Sequence, residues 1–191
     1  TAWGYYNVGL YAEAIEQFKK AIKDTSGRYP ENEKWSLYGG LGWSYYWKGD
    51  YAEAEKTFSE SLKLLPENAD ALRGLGFSYY KNKKYAEAIK AFRASLKLLP
   101  QQADLLTAIG ENLHEQGKYA EAMEEYKQAL NIYPAFTNAH YGMAWSYYSL
   151  GKKEEARNKF RGYLYISPQM ESRLLDVLKK EKWWDLYTAQ G

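Results

Sequence analysis

Prolines stand at positions 66, 100, 134 and 168, each 34 residues from the last. The chain holds only five prolines, so three equal steps fix a period rather than a coincidence. The string Tyr-Ala-Glu-Ala recurs from Tyr51, Tyr85 and Tyr119 at the same interval, and once earlier from Tyr11. A fixed period of this length marks a supersecondary unit that is copied and stacked, because one copy cannot bury its own apolar face.

Counting register positions from residues 35, 69, 103 and 137 exposes the pattern inside each copy. Positions 4, 7, 8 and 11 hold Tyr38, Leu41, Gly42 and Tyr45; Leu72, Leu75, Gly76 and Tyr79; Leu106, Ile109, Gly110 and Leu113; and His140, Met143, Ala144 and Tyr147. Positions 20, 24 and 27 hold Ala54, Phe58 and Ser61; Ala88, Phe92 and Ser95; Ala122, Tyr126 and Ala129; and Ala156, Phe160 and Tyr163. Steps of three and four place apolar groups on one helical face. Small residues at 8 and 20 let two helices approach closely. Gly49, Gly117 and Gly151 sit where a first helix must end in a left-handed cap. The second copy has Asn82-Lys83 there, which predicts a strained turn. Proline at position 32 stops the second helix.

This pattern of small residues at 8, 20 and 27, bulky ones between and proline at 32 resembles the tetratricopeptide repeat over nearly the whole chain. The resemblance implies an all-α fold, a right-handed α-α superhelical solenoid of two antiparallel helices per repeat with a concave groove. It implies one array over 1–191, with repeats at 31–68, 69–102, 103–136 and 137–170. Residues 1–30 form a truncated first repeat plus a loop. Trp3-Gly4-Tyr5-Tyr6 aligns with Trp43-Ser44-Tyr45-Tyr46, so the chain begins inside the pattern, as a fragment or a processed product does. The step from Tyr11 to Tyr51 exceeds the period by six residues. That excess predicts a loop near 25–33 and an early start for the next helix, near Glu31. Residues 171–187 are expected to form a capping helix, and Tyr163 at a normally small position fits a changed contact at that end.

On a wheel of about 100° per residue, positions 2, 5, 6, 9, 12 and 13 of each first helix oppose the packing face. In the family that side lines the groove. The candidate binding residues are Trp3, Tyr6, Trp43, Tyr46 and Trp47, then Arg73, Phe77, Tyr80 and Lys81. Further along they are Asp104, Glu111, His114 and Glu115, then Tyr141, Trp145 and Tyr148. Ser36, Gly39, Gly40 and Asp70 fall on the same side. Tyrosine at position 12 is common in the family, so Tyr6, Tyr46, Tyr80 and Tyr148 are read mainly as support for the fold. At position 9 the family usually carries a polar residue, but here stand Trp3, Trp43, Phe77 and Trp145. These rings are expected to look away from helix pairing and stay open to solvent, as an exposed apolar stripe does at a binding surface. The competing reading packs them against one another or the neighbouring repeat. Asp104, Glu111 and Glu115 make an acidic spot beside His114, either solvated charge or a pocket for a basic side chain. Arg73 and Lys81 are alternative partners for those carboxylates.

Composition removes other classes. The chain carries 26 Lys and Arg against 24 Asp and Glu with no long basic run, which argues against phosphate-driven nucleic-acid binding. It has no cysteine, so thiol catalysis, disulfides and cysteine-based zinc sites are excluded. No apolar run reaches the ~20 residues that would insert in a membrane. His114 and His140 lie 26 apart with no cysteine between, too few ligands for a metal, and His140 falls on the packing face. No cofactor and no catalytic set is expected. The compartment stays open, cytoplasmic or periplasmic; an aromatic-rich, cysteine-free chain leans to a bacterial, extracytoplasmic setting.

The reading is a non-catalytic protein-protein interaction module that takes a peptide segment in an aromatic-lined groove. Gly39 and Trp43 stand where the family's chaperone-tail clamp needs Lys and Asn, so that ligand is rejected. Stacking on Trp and Tyr favours an extended apolar or proline-rich segment over a sugar. The alternatives are a self-assembling scaffold, a homo-oligomer using the open first repeat and Trp183-Trp184, and the substrate-recruiting array of a larger enzyme.

Overall fold

The computed structural model describes residues 1–26 and 28–166; the expected capping helix at 171–187, with Trp183 and Trp184, lies outside them. Among the described residues there are ten α-helices, one 3-10 turn and no strand. They are α1 (Ala2–Asn7), α2 (Tyr11–Lys23), α3 (Trp35–Lys48), α4 (Tyr51–Leu64), α5 (Ala69–Lys81), α6 (Tyr85–Leu98), α7 (Ala103–Glu115), α8 (Tyr119–Ile132), α9 (Thr137–Ser149) and α10 (Lys153–Ile166). The chain divides into two compact units. One spans Thr1–Pro100 and the other begins at Gln101.

Short turns join α1 to α2, α3 to α4 and α5 to α6 in the first unit, and α7 to α8 and α9 to α10 in the second. Turns this short force neighbouring helices to run antiparallel. The pairing shows in two hydrogen bonds: Ser61 Oγ, late in α4, donates to the Trp35 carbonyl at the start of α3 (2.7 Å), and Ser95 Oγ donates to the Ala69 carbonyl (2.9 Å). Both hydroxyls are fully buried and would be costly without these acceptors.

One ring per pair sets the helix spacing. Phe58 of α4 is fully buried, and a Cβ at Gly42 of its own pair or at Gly74 of the next would come within 3.0 Å of it. In the second unit Tyr126 of α8 sits in the same way against Gly110 and Gly142. Phe18 of α2 lies against Gly40 of α3. Each such ring contributes about 1.5–3 kcal/mol by burial alone. Gly40 is therefore a packing position, not part of an open groove face. The wheel misplaces it because α3 is pressed from two sides, by its own α4 and by α2 before it.

The turns follow the cap chemistry. Gly49, Gly117 and Gly151 have positive φ, and so does Lys83 at φ 59°, the strained position expected from its side chain. That turn is held from outside: Lys84 Nζ reaches both carboxylate oxygens of Glu55 on α4 at 2.8 and 3.0 Å, and Asn82 Nδ2 donates to Glu55 Oε2 at 3.2 Å.

Between α2 and α3 the expected early helix is instead a 3-10 turn, Glu31–Glu33, and α3 begins at Trp35. Lys34 explains the break. Its side chain is buried, 3% of the residue being exposed, and Nζ donates to the Ile22 carbonyl (2.7 Å) and to the Glu31 carboxylate. One ammonium thus caps the end of α2 and pins the start of the next pair.

Substituting Gly74 by Ala should cost about 1–3 kcal/mol in urea unfolding, because Phe58 has no room to retreat. Gly39→Ala is the control: an added Cβ meets nothing within 4 Å there. Its expected effect is neutral to stabilising, by up to about 1 kcal/mol of helix propensity.

Candidate functional site

In the first unit Trp3 and Tyr6 of α1 are in ring contact with each other, and Trp43, Tyr46 and Trp47 of α3 form a second set of ring contacts with Phe77 of α5. Of the position 9 rings, Trp43 is buried and Phe77 and Trp145 are half-buried rather than open as expected, while Trp3 is exposed. Trp43 is only 9% exposed and meets Phe58 edge-on at 5.2 Å. Trp3 meets Phe18 at 5.0 Å, and Phe77 meets Phe92 at 4.9 Å. In the second unit Trp145 meets Phe160 at 5.3 Å in the same relation. The physical reason is the small residue at position 8. It brings the position 24 ring against the backbone of the first helix, and the long side chain at position 9 folds over that ring's edge. Such edge-to-face pairs add about 0.5–1.5 kcal/mol to burial.

Position 12 supports the fold too. Tyr6, Tyr46, Tyr80 and His114 pack on the first residue of each following helix, Tyr11, Tyr51, Tyr85 and Tyr119, at 5.9, 5.4, 6.0 and 4.9 Å. Tyr6 also accepts a hydrogen bond from Trp47; burial pushes its hydroxyl above the ordinary tyrosine range, with that hydrogen bond pulling the other way.

What reaches solvent is a second tier of rings. Trp47 is 55% exposed and lies on Tyr46 at 5.3 Å, and Trp3 is 44% exposed. Beside them a polar clip is already closed. Trp43 Nε1 donates to Asp70 Oδ2 at 2.7 Å, Arg73 Nη2 pairs with Asp70 Oδ1 at 2.8 Å, and the guanidinium lies 5.1 Å from the Trp43 ring centroid. Asp70 was placed on this side by the wheel, but nothing in the sequence pairs it with a tryptophan 27 residues earlier. Lys81 lies over the ring of Tyr80, 5.7 Å from its centroid.

The second unit carries the rest of the candidate set. Tyr141 touches Trp145, Phe160 and Tyr163 at 5.8, 6.2 and 5.3 Å, so the unusual Tyr163 serves as a platform for a first-helix ring. Tyr148 is half-buried, as are Asp104 and Glu111, while Glu115 is exposed. His114 Nδ1 lies 3.1 Å from Ser146 Oγ. Burial lowers its pKa below the ordinary histidine value, and Glu115 opposes this only in part. Desolvation, not the acidic spot, governs its charge. His140 is half-buried, with Nε2 donating to the Pro134 carbonyl at 2.8 Å. Among the described residues no cluster of three His, Cys, Asp or Glu side chains is placed to hold a metal ion, and no helix is long and apolar enough to cross a membrane.

Family profiles described as tetratricopeptide repeat or TPR repeat match residues 40–103, 110–151 and 138–169. The chain is a tetratricopeptide-repeat protein. Comparison with curated proteins finds no match. Among solved structures, a crystal structure of MamA superposes with a TM-score of 0.78 at 22% identity, over 90% of this chain and 97% of that one. YrrB, described as a TPR protein with an unusual peptide-binding site, superposes at 0.74 and 22% identity, over 94% of this chain and 88% of its own. At these identities the likeness is one of fold. Tetratricopeptide-repeat proteins are typically non-catalytic interaction modules, and membership of the family supports a protein-interaction module here.

The lowered pKa of His114 has a pH signature. The unfolded histidine binds its proton near pH 6.5 and the folded one only below that, so folding favours the neutral ring. Stability is full above pH 6.5 and is lost as pH falls through the folded value. Thermal melts from about pH 8 to about pH 5 should show this acid loss, and His114→Gln should remove its contribution. An unchanged pH dependence in the variant would show that other groups cause it.

Proposed function

We propose that the first unit binds an extended peptide segment of a partner protein, apolar or proline-rich, on the ring surface of α1, α3 and α5. The module is a passive holder and carries no catalytic group. Support comes from the two tiers of rings: Trp43, Tyr46 and Phe77 are held by neighbours, while Trp47, against Tyr46, and Trp3, against Phe18 and Tyr6, present apolar area to solvent. Rings fixed before binding lose little conformational entropy when a ligand covers them. Proline and aliphatic side chains stack on such surfaces without needing hydrogen bonds of their own. Arg73 and Lys81 at the margin suit a carboxylate or carbonyl of the bound segment. In the second unit Tyr141, Trp145 and Tyr148 form a further aromatic surface for the same class of ligand, with Asp104, Glu111, His114 and Glu115 offering polar contacts.

The single observation that carries this reading is Trp47, the most exposed large ring of the face, lying on a fixed platform. Trp47→Ala should weaken binding of a proline-rich synthetic peptide by a factor of about 30, the equivalent of a ~2 kcal/mol anchor, while the thermal midpoint barely moves. Isothermal titration with proline-rich, leucine-rich and charged peptides gives the measurement. The reading fails if no peptide binds at millimolar concentration, or if the variant binds as well as the parent.

A further inference from the structure

At register position 13, two neighbouring first helices of the first unit carry different chemistry: Trp47 stands there on α3 and Lys81 on α5. The helices lie side by side in register, since Trp43 and Phe77, both at position 9, meet at 6.5 Å. Each position 13 side chain rests on the tyrosine before it. Trp47 lies 5.3 Å from the Tyr46 ring, and Lys81 Nζ lies 5.7 Å from the Tyr80 ring centroid. Both are exposed, so an apolar plate and a cation face solvent in equivalent fashion, one helix spacing apart. What each can offer is narrow. The Trp47 N–H is spent on the Tyr6 hydroxyl, so the indole offers a ligand apolar surface alone. Lys81 makes no ion pair among the described residues, whereas other cations of α3, α5 and the following turn are taken: Lys48 by Asp50 at 2.7 Å, Arg73 by Asp70 at 2.8 Å and Lys84 by Glu55 at 2.8 Å. The acid on the same face, Asp70, is closed off by Trp43 and Arg73.

The spacing of the two side chains says what lies across them. Packed helices stand about 8–10 Å apart. A polyproline II segment has three residues per turn and rises about 3.1 Å per residue, so its residues i and i+3 point the same way about 9 Å apart. A β-strand alternates faces, and its residues i and i+3 point oppositely. We propose, resting on the reading of this surface as a peptide site, that its ligand is a polyproline II segment with a carboxylate three residues from a proline. The proline ring stacks on Trp47, and the carboxylate meets Lys81. Lys81 thereby fixes the register in which the segment lies, since sliding by one residue turns the carboxylate about 120° away. An exposed cation of this kind contributes more to the choice among segments than to affinity.

Two synthetic nonapeptides of one composition separate register from composition. Pro-Ala-Ala-Glu-Ala-Ala-Pro-Ala-Ala places glutamate three residues from both prolines, so either chain direction is served. Pro-Ala-Glu-Ala-Ala-Ala-Pro-Ala-Ala places it two and four residues away. In isothermal titration at low salt the first should bind the 191-residue chain about two- to fivefold more tightly than the second, the range of an exposed ion pair. The margin should shrink as salt rises. Lys81→Gln should bring the two affinities together, and Lys81→Glu should make the first peptide the weaker, with helicity by circular dichroism unchanged in both variants. Lysine in place of glutamate in the first peptide should restore its advantage with Lys81→Glu alone. Equal binding of the two by the parent chain, loss of both while a plain polyproline peptide still binds, or a margin that Lys81→Gln leaves in place overturns this inference alone. Failure of the polyproline peptide as well sinks the ring-surface reading itself.

Discussion

The seating of one aromatic ring between small residues of two first helices is the contact on which the rest depends. Phe58 lies against Gly42 and Gly74, and Tyr126 against Gly110 and Gly142. A ring in that seat fixes two distances at once, the spacing within a pair and the spacing to the next pair. Helices this close have no freedom to slide, because a methyl group on either backbone would overlap the ring. Conserving the seat from copy to copy requires the same residue types at the same intervals, and the 34-residue period is the sequence record of that demand.

The pairing of helices was legible because it is periodic. Proline at position 32, Tyr-Ala-Glu-Ala at the second-helix start and glycine at position 8 each repeat, and each has a local physical reason. Position 6 was misread because a helical wheel knows one neighbour, whereas α3 and α5 have two. Gly40 looks like a groove position on the wheel and is a contact position in the fold, as Gly74 is in the next copy. The α2–α3 connection was illegible for a different reason. Its geometry rests on a single long-range bond from Lys34 to the Ile22 carbonyl, and no pattern announces one buried ammonium.

The candidate site shows the same division. Its residue set came from the wheel, but their roles depend on length and shape, which a wheel omits. Trp43 and Phe77 are long enough to turn back over Phe58 and Phe92, so they spend their apolar area on the fold. The indole N–H of Trp43 is likewise committed, to Asp70. Trp47, one turn on, has no such ring beneath its far edge and stays exposed. The surface that meets a ligand is thus a thin outer layer, and the inner layer's contribution is rigidity. This explains how a face built of greasy rings coexists with a stable helix array: most of its area is already buried by the protein itself.

That economy does not extend evenly along the face. Trp43 is locked by its ring partners and by Asp70, whereas Trp3 and Tyr6 ride on α1, six residues long with no buried side chain. α1 is tied down by the Trp3–Phe18 contact, by the Tyr6–Tyr11 contact and by the Trp47 hydrogen bond to Tyr6. A helix of that length gains little from its own backbone bonds, since nucleation consumes most of what they supply. These ring contacts, rather than the helix's own backbone bonds, hold Trp3 and Tyr6 in place. A ligand lying across Trp47 and Tyr6 adds contacts to the very rings that hold α1, so binding and the order of this edge are coupled through the same few side chains.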